Sequence, residues 1–157
     1  VGRKLPMGEH KGNISFSSGN LRITEGAIAG GMLTVDMASM TCTDLSEEKG
    51  SDLVGHLQSD DFFSTATHAT ATFQIESFTA NEMGGIAKGT MTIKGISQPQ
   101  AIELTMNSTE AGLEIRGMMK VDRTLYDIKY QSGIIGEGLD WVIEDNFELG
   151  FFVVANA

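Results

Sequence analysis

The residues best suited to hold a polar chemical group lie close together in the second half of the chain. Asp122 and Arg123 are followed by Tyr126 and Tyr130. Arginine donates hydrogen bonds and a tyrosine hydroxyl donates or accepts, so this set could bind the polar head of an otherwise apolar molecule. Alternatively, Asp122 and Arg123 form a buried or half-buried ion pair that fastens a strand to the fold, because such a pair is costly to break. The residue types leave both roles open.

The histidines and the single cysteine form no recognisable catalytic or metal-binding motif. His10, His56 and His68 are spread along the chain without HExxH or HxH spacing, which favours structural hydrogen bonding over metal ligation. Cys42 lies between two threonines, as is typical of a small buried residue, and it cannot form an internal disulfide. We therefore expect no enzyme activity, no metal and no cofactor. An alternative function is a metal-dependent hydrolase in which the folded chain brings the three histidines together.

The composition predicts one acidic domain over residues 1–157. The net charge is −10, from 21 acidic and 11 basic residues. Because phosphate binding needs clustered Lys and Arg, nucleic acid and anionic membranes are poor candidate partners. No apolar run reaches the roughly 18 residues of a membrane span, so no stable membrane insertion is expected. The chain shows neither an initiator Met nor a signal peptide, and we interpret it as a mature or trimmed form.

Alternation of apolar and polar residues predicts about eight strands, each with one apolar face. Six apolar rows are expected to face the interior: Leu33, Val35 and Met37; Ala71, Phe73 and Ile75; Met91 and Ile93; Ile102, Leu104 and Met106; Leu113, Ile115 and Met119; and Phe147, Leu149, Phe151 and Val153. Near the end of the chain, Phe152 and Val154 make the last strand apolar on both faces. An exposed patch, a dimer contact or a closing barrel strand would explain that.

Glycine positions predict the turns between these strands. Turns are expected at residues 19–20, 30–31, 81–85 and 95. One short helix is predicted over residues 51–63, with Ser51 or Asp52 as its cap. A single helix among about eight strands indicates an all-β antiparallel barrel.

Five segments, in order and with matching spacing, together resemble one known family. They are residues 8–12 (GEHKG), 30–40 (GGMLTVDMASM), 53–63 (LVGHLQSDDFF), 89–99 (GTMTIKGISQP) and 122–133 (DRTLYDIKYQSG). The family is the YceI-like, polyisoprenoid-binding family, and the resemblance extends over nearly the whole chain.

The resemblance implies an eight-stranded antiparallel, lipocalin-like barrel with one short helix and an elongated apolar interior. Its partner would be a hydrophobic small molecule, an isoprenoid quinone, polyprenyl chain or fatty-acid-like lipid, held non-covalently. The resemblance also implies a periplasmic or secreted location and a possible homodimer. Candidate ligand-binding residues are Met37, Leu57, Phe62, Phe63, Phe73, Ile75, Met91, Ile115, Met119, Arg123, Tyr126, Tyr130 and Trp141.

Residue types alone favour an ordinary packed core, although nine methionines would suit an adaptable apolar cavity. The runner-up function is therefore a stress-protective structural or interaction protein with a packed core and no specific lipid.

Overall fold

Seven strands form one antiparallel sheet that curls into a nearly closed barrel. The structure is a computed structural model and describes residues 2–5, 9–129, 142–143 and 146–156. In chain order the elements are β1 (Gly2–Leu5), β2 (Glu9–His10), β3 (Gly12–Thr24), β4 (Ala27–Cys42), α1 (Glu47–Gln58), β5 (Thr70–Ala80), β6 (Gly84–Ile93), β7 (Ile96–Thr109), β8 (Gly112–Asp122), a 3-10 turn (Arg123–Tyr126), β9 (Val142–Ile143) and β10 (Asn146–Ala155).

The sheet order of the barrel is β10-β8-β7-β6-β5-β4-β3, with every neighbouring pair antiparallel. This confirms the expected all-β antiparallel barrel with one helix, but the expected count of eight strands was wrong. In the described part of the chain, β1, β2 and β9 form a separate sheet of order β2-β1-β9. These strands have two to four residues. β2 is followed by β3 and β9 by β10, so pairing of β1 with both links the two edges of the barrel at its helix end.

The predicted inward rows form the core. On β4, Leu33 and Met37 are buried, and on β5, Phe73 and Ile75 are buried. The intervening residues are half-buried or exposed, as strand geometry requires. The apolar side chains of all seven barrel strands meet in one hydrophobic cluster.

Two of the predicted glycine turns are confirmed and two were wrong. Residues 81–83 join β5 to β6, and Lys94 and Gly95 join β6 to β7 with φ of 54° and 75°. Residues 19–20 and 30–31 instead lie inside β3 and β4, which are joined at Glu25 and Gly26 with φ of 52° and 80°. The end of the flexible Arg22 side chain lies beside Gly30, where a Cβ would stand.

Helix α1 begins and ends earlier than the sequence predicted. Ser46, not Ser51 or Asp52, is the N-cap, and its side chain accepts a hydrogen bond from the Lys49 amide at 3.3 Å. Glu47 and Glu48 follow in the first turn, where carboxylates interact favourably with the helix dipole. The helix ends at Gln58, so the last part of the predicted segment, residues 59–63, forms turns.

The strand connections define two ends of the barrel. At the helix end lie α1, the 3-10 turn and the Lys94–Gly95 connection; at the hairpin end lie the connections at residues 25–26, 81–83 and 110–111. Within the described segments, no helix is long and apolar enough to cross a membrane.

Candidate functional site

The helix end of the barrel is filled by four buried side chains, which we call the aromatic plug: Phe62, Phe63, Tyr126 and Ile128. The rings of Phe62 and Phe63 lie 5.6 Å apart between centroids. Phe63 also meets the ring of Phe147 on β10 edge to face at 5.9 Å. The turns after α1 therefore place two aromatic rings where a lengthwise channel would open.

The acid–base pair of the sequence is engaged in two separate local contacts beside this plug. Asp122 Oδ1 accepts hydrogen bonds from the Thr124 amide at 3.0 Å and the Thr124 hydroxyl at 2.6 Å, which caps the 3-10 turn. Arg123 is only 1% exposed; its Nη1 donates to the Ile128 carbonyl at 2.9 Å, and its guanidinium lies 5.0 Å from the Phe62 ring centroid. These contacts give both residues a structural role in fastening the turn. A role toward a ligand stays a prediction.

Tyr126 lies in the same buried region and is 1% exposed. Burial raises the pKa of its hydroxyl above the ordinary value of 10.0, because the charged phenolate would be poorly solvated there. The hydroxyl therefore stays protonated at neutral pH and retains its ability to donate a hydrogen bond.

An apolar cavity lies between the middle of the barrel and its hairpin end. It is lined by Leu21, Ile28, Leu33, Phe73, Ile75, Ala87, Ile102, Leu104, Ile115, Phe151 and Val153. All eleven are hydrocarbon side chains. The cavity volume is about 10 Å³, which is room for one water-sized sphere.

The ring of Phe151 occupies the space beside Gly117. It is paired with Gly117 across β10 and β8, and a Cβ at Gly117 would overlap two of its ring carbons. The same Cβ would lie 2.9 Å from Leu104 Cδ2. Gly117 therefore makes room for an aromatic ring of the neighbouring strand rather than for a ligand.

Three further polar side chains, those of His10, Cys42 and Asp44, lie close together. His10 Nδ1 is 3.5 Å from Asp44 Oδ2, and the Cys42 thiol donates to Asp44 Oδ1 at 3.2 Å. Burial acts to raise the pKa of Asp44, but hydrogen bonds from Cys42 and from the Lys11 backbone, together with nearby His10, bring that pKa below 3.8. His56 packs edge to face on Phe62. Among the described residues, no group of three His, Cys, Asp or Glu side chains could hold a metal.

The predicted ligand-binding residues divide between the cavity and the closed end. Phe73, Ile75 and Ile115 line the cavity. The others that the structure describes lie in the surrounding core or at the helix end: Met37, Leu57, Phe62, Phe63, Met91, Met119, Arg123 and Tyr126. Tyr130 and Trp141 lie outside the described residues.

Eight residues that line the cavity were not among the predicted ligand-binding residues. Five of them belong to the predicted inward rows, so their place in the strand alternation would have identified them: Leu33, Ile102, Leu104, Phe151 and Val153. The other three are Leu21, Ile28 and Ala87. Ile28 escaped the β4 row because a register shift between Arg22 and Ile23 leaves Ala29 unpaired and reverses the alternation.

Comparisons with known proteins agree with this architecture. Residues 1–155 match the model of a family described as the YceI-like domain. The crystal structure of a Campylobacter jejuni YceI protein is similar, with a TM-score of 0.73 and 21% identity over 98% of this chain and 88% of that chain. Burkholderia cenocepacia BcnA is also similar, with a TM-score of 0.70 and 21% identity over 90% of this chain and 84% of that chain. A comparison with curated proteins finds no match.

Proposed function

The chain belongs to the YceI-like family, and we propose that it is a non-enzymatic binding protein that holds one long apolar molecule inside its barrel. The ligand class is an isoprenoid or fatty-acid-like lipid, and the protein would act in the periplasm or outside the cell. The observation that carries the proposal is the cavity lining, which consists of eleven hydrocarbon side chains from all seven barrel strands. Such a wall favours a hydrocarbon chain because each buried methylene contributes about 0.8 kcal/mol.

The size of the cavity limits the affinity. Ligand sites usually have volumes of about 300–1,000 Å³, whereas this cavity has about 10 Å³. The barrel must therefore widen to admit a chain. A chain of about fifteen carbons gains on the order of 12 kcal/mol, and association costs at least about 4 kcal/mol. At most about 8 kcal/mol remains, which corresponds to a micromolar dissociation constant.

The chain of the ligand would first contact the residues that already line the cavity, including Phe73, Ile75 and Ile115. A longer chain would extend towards Met37 and Met91, which are buried in the same hydrophobic cluster. Methionine adapts its shape at low cost, which suits a wall that has to yield.

The polar head of the ligand would lie at the helix end. Arg123 and Tyr126 supply N–H and O–H donors there, among the apolar side chains of the plug. In this proposal the plug parts when the ligand binds. The head then exchanges its hydrogen bonds with water for bonds to these two residues.

The second candidate is a structural or interaction protein whose core is simply packed. The small cavity volume favours it, since an interior of this density has little free space. This candidate differs from the first in one measurable respect: its core would admit no hydrocarbon chain of any length.

Native mass spectrometry of the purified chain, followed by organic extraction, tests the proposal. We expect one bound lipid, or binding of added saturated fatty acids with an affinity that rises by up to about fourfold for each methylene. An empty protein that also refuses added fatty acids and quinones would favour the packed core.

A matched pair of variants connects the binding to the cavity. Ala87→Leu adds a larger side chain to the wall at a position that is 1% exposed, and should weaken binding. Ala101→Leu makes the same change at an exposed position of β7 and should leave binding unchanged. Equal binding by both variants would place the ligand outside this cavity.

A further inference from the structure

We infer that the apolar ligand enters the barrel from the side, through the junction between β3 and β10, which we call the seam. This inference rests on the proposed function, and it follows from the small cavity: a barrel that must widen does so where the least structure has to break. β3 and β10 are the two edges of the seven-stranded sheet. No backbone hydrogen bond joins the described residues of these two strands.

Every other junction of the barrel sheet is a hydrogen-bonded ladder. The shortest, between β4 and β5, has six residue pairs, and the ladder between β8 and β10 has ten. Since an antiparallel ladder has about one hydrogen bond per residue pair, opening any of these junctions breaks about six bonds or more. Between the described residues of β3 and β10 no such ladder has to break. The short β2-β1-β9 sheet bridges the two edges at the helix end, so the seam should open towards the hairpin end.

Side chains close the seam. Phe16 of β3 meets Phe151 of β10 edge to face, with 6.4 Å between ring centroids and an interplanar angle of 85°. Phe16 is 38% exposed and does not line the cavity, whereas Phe151 does. Phe16 is paired with Val35 of the inward row, so both rings lie on the inner face of the sheet, with Phe16 partly exposed at the seam and Phe151 at the cavity.

The seam leads directly into the cavity. Leu21 of β3 and Val153 of β10 line the cavity from the two sides of this junction. Three register shifts interrupt the pairing of β3 with β4, and such bulges bend and twist an edge strand.

Exposed apolar side chains lie on both sides of the seam, some on the inner face of the sheet and some on its outer face. The described chain has eight exposed large hydrophobic residues, and six of them lie on β3, β10 and the strands next to them. Those six are Phe16, Ile23, Met32, Met118, Phe152 and Val154. An apolar chain passing through the seam would cover these side chains, so the occupant of this surface is the ligand itself.

Stopped-flow binding of parinaric acid, a long-chain fluorescent fatty acid, tests the inference with two phenylalanine variants. Phe16→Ala removes one of the two rings that close the seam and should raise both the association and the dissociation rate by about tenfold. The equilibrium affinity should change less than either rate, because the ring blocks the path and does not line the cavity. Phe78→Ala removes a half-buried ring near the hairpin end and should change neither rate.

The two variants separate the possible routes. Faster exchange in Phe78→Ala alone would place the entrance at the hairpin end and overturn the inference. Unchanged rates in Phe16→Ala would also overturn it. Failure of the proposed function gives a different result, since neither the unmodified chain nor any variant would then bind parinaric acid at equilibrium.

A cross-linked protein provides the second measurement. Phe16→Cys with Phe151→Cys, in a chain carrying Cys42→Ser, is joined by a short cleavable linker between the two thiols. Linking should slow uptake by about tenfold, and cleavage should restore it. The control links Thr92→Cys and Ser97→Cys across β6 and β7, where the native hydroxyl oxygens are 2.7 Å apart. Equal uptake rates in linked and cleaved seam proteins would exclude the lateral route.

Discussion

Gly117→Ala should destabilise the barrel because the Phe151 ring occupies the space of the new methyl group. The ring carbons of Phe151 overlap the position of a Cβ at Gly117, and Leu104 Cδ2 lies only 2.9 Å from it. Overpacking costs about 1–3 kcal/mol. Gly117 has no positive φ, so alanine fits its backbone and returns about 0.4–1 kcal/mol through the unfolded chain. The free energy of unfolding should fall by about 1–2 kcal/mol.

Urea unfolding followed by far-ultraviolet circular dichroism measures this change, with midpoints compared at equal m-values. Gly55→Ala is the matched control, because a Cβ at Gly55 in α1 meets nothing within 4 Å. That variant should gain about 1 kcal/mol. In a Phe151→Ala background, Gly117→Ala should lose most of its cost, since the obstructing ring is gone. A Gly117→Ala protein as stable as the Gly55→Ala protein would refute the packing of Phe151 on Gly117.

Three further predictions concern the helix end. Asp122→Ala should lower the free energy of unfolding by about 1 kcal/mol, as loss of a cap does. Thr124→Val removes only the 2.6 Å hydroxyl bond and should cost less. Equal losses in urea unfolding would contradict the capping role. Arg123→Met should lower the free energy of unfolding by about 1–3 kcal/mol in the same assay, because the Ile128 carbonyl loses its buried 2.9 Å donor. An unchanged stability would contradict a structural role of Arg123 in fastening the turn. Burial raises the pKa of Tyr126 above 10.0. The contribution of its neutral hydroxyl to the free energy of unfolding is therefore fully present below pH 10.0 and is lost as pH rises towards the folded-state pKa. A stability–pH curve of Tyr126→Phe should decline less above pH 10.0, and identical curves would rule this out.

Much of the fold follows from short-range patterns. Strand alternation identified the inward rows that contain Leu33, Phe73 and Ile115, since side chains two residues apart share a face whatever their partners are. The connection at Gly95 was also predicted, because glycine readily takes the positive φ found there. The start of α1 was wrong although Ser46 and two following glutamates form a legible N-terminal signal.

The candidate site was less predictable than the fold. Among the predicted ligand-binding residues that the structure describes, three line the cavity. The predictions included large aromatic residues such as Phe62 and Phe63, which lie at the helix end, and their role towards a ligand stays a prediction. Their place depends on how the turns after α1 fold back over the barrel, and no local pattern describes that.

The amino-acid sequence by itself determined the all-β architecture, the apolar face of most strands and the family, because these depend on residue types at fixed local spacing. Only the tertiary structure decided the size of the cavity and the position of the seam. The cavity volume is the small difference between the space that seven strands enclose and the side chains that fill it, and Phe151 reaching over Gly117 changes that difference. The seam exists because β3 and β10, from opposite ends of the chain, come together without backbone hydrogen bonds.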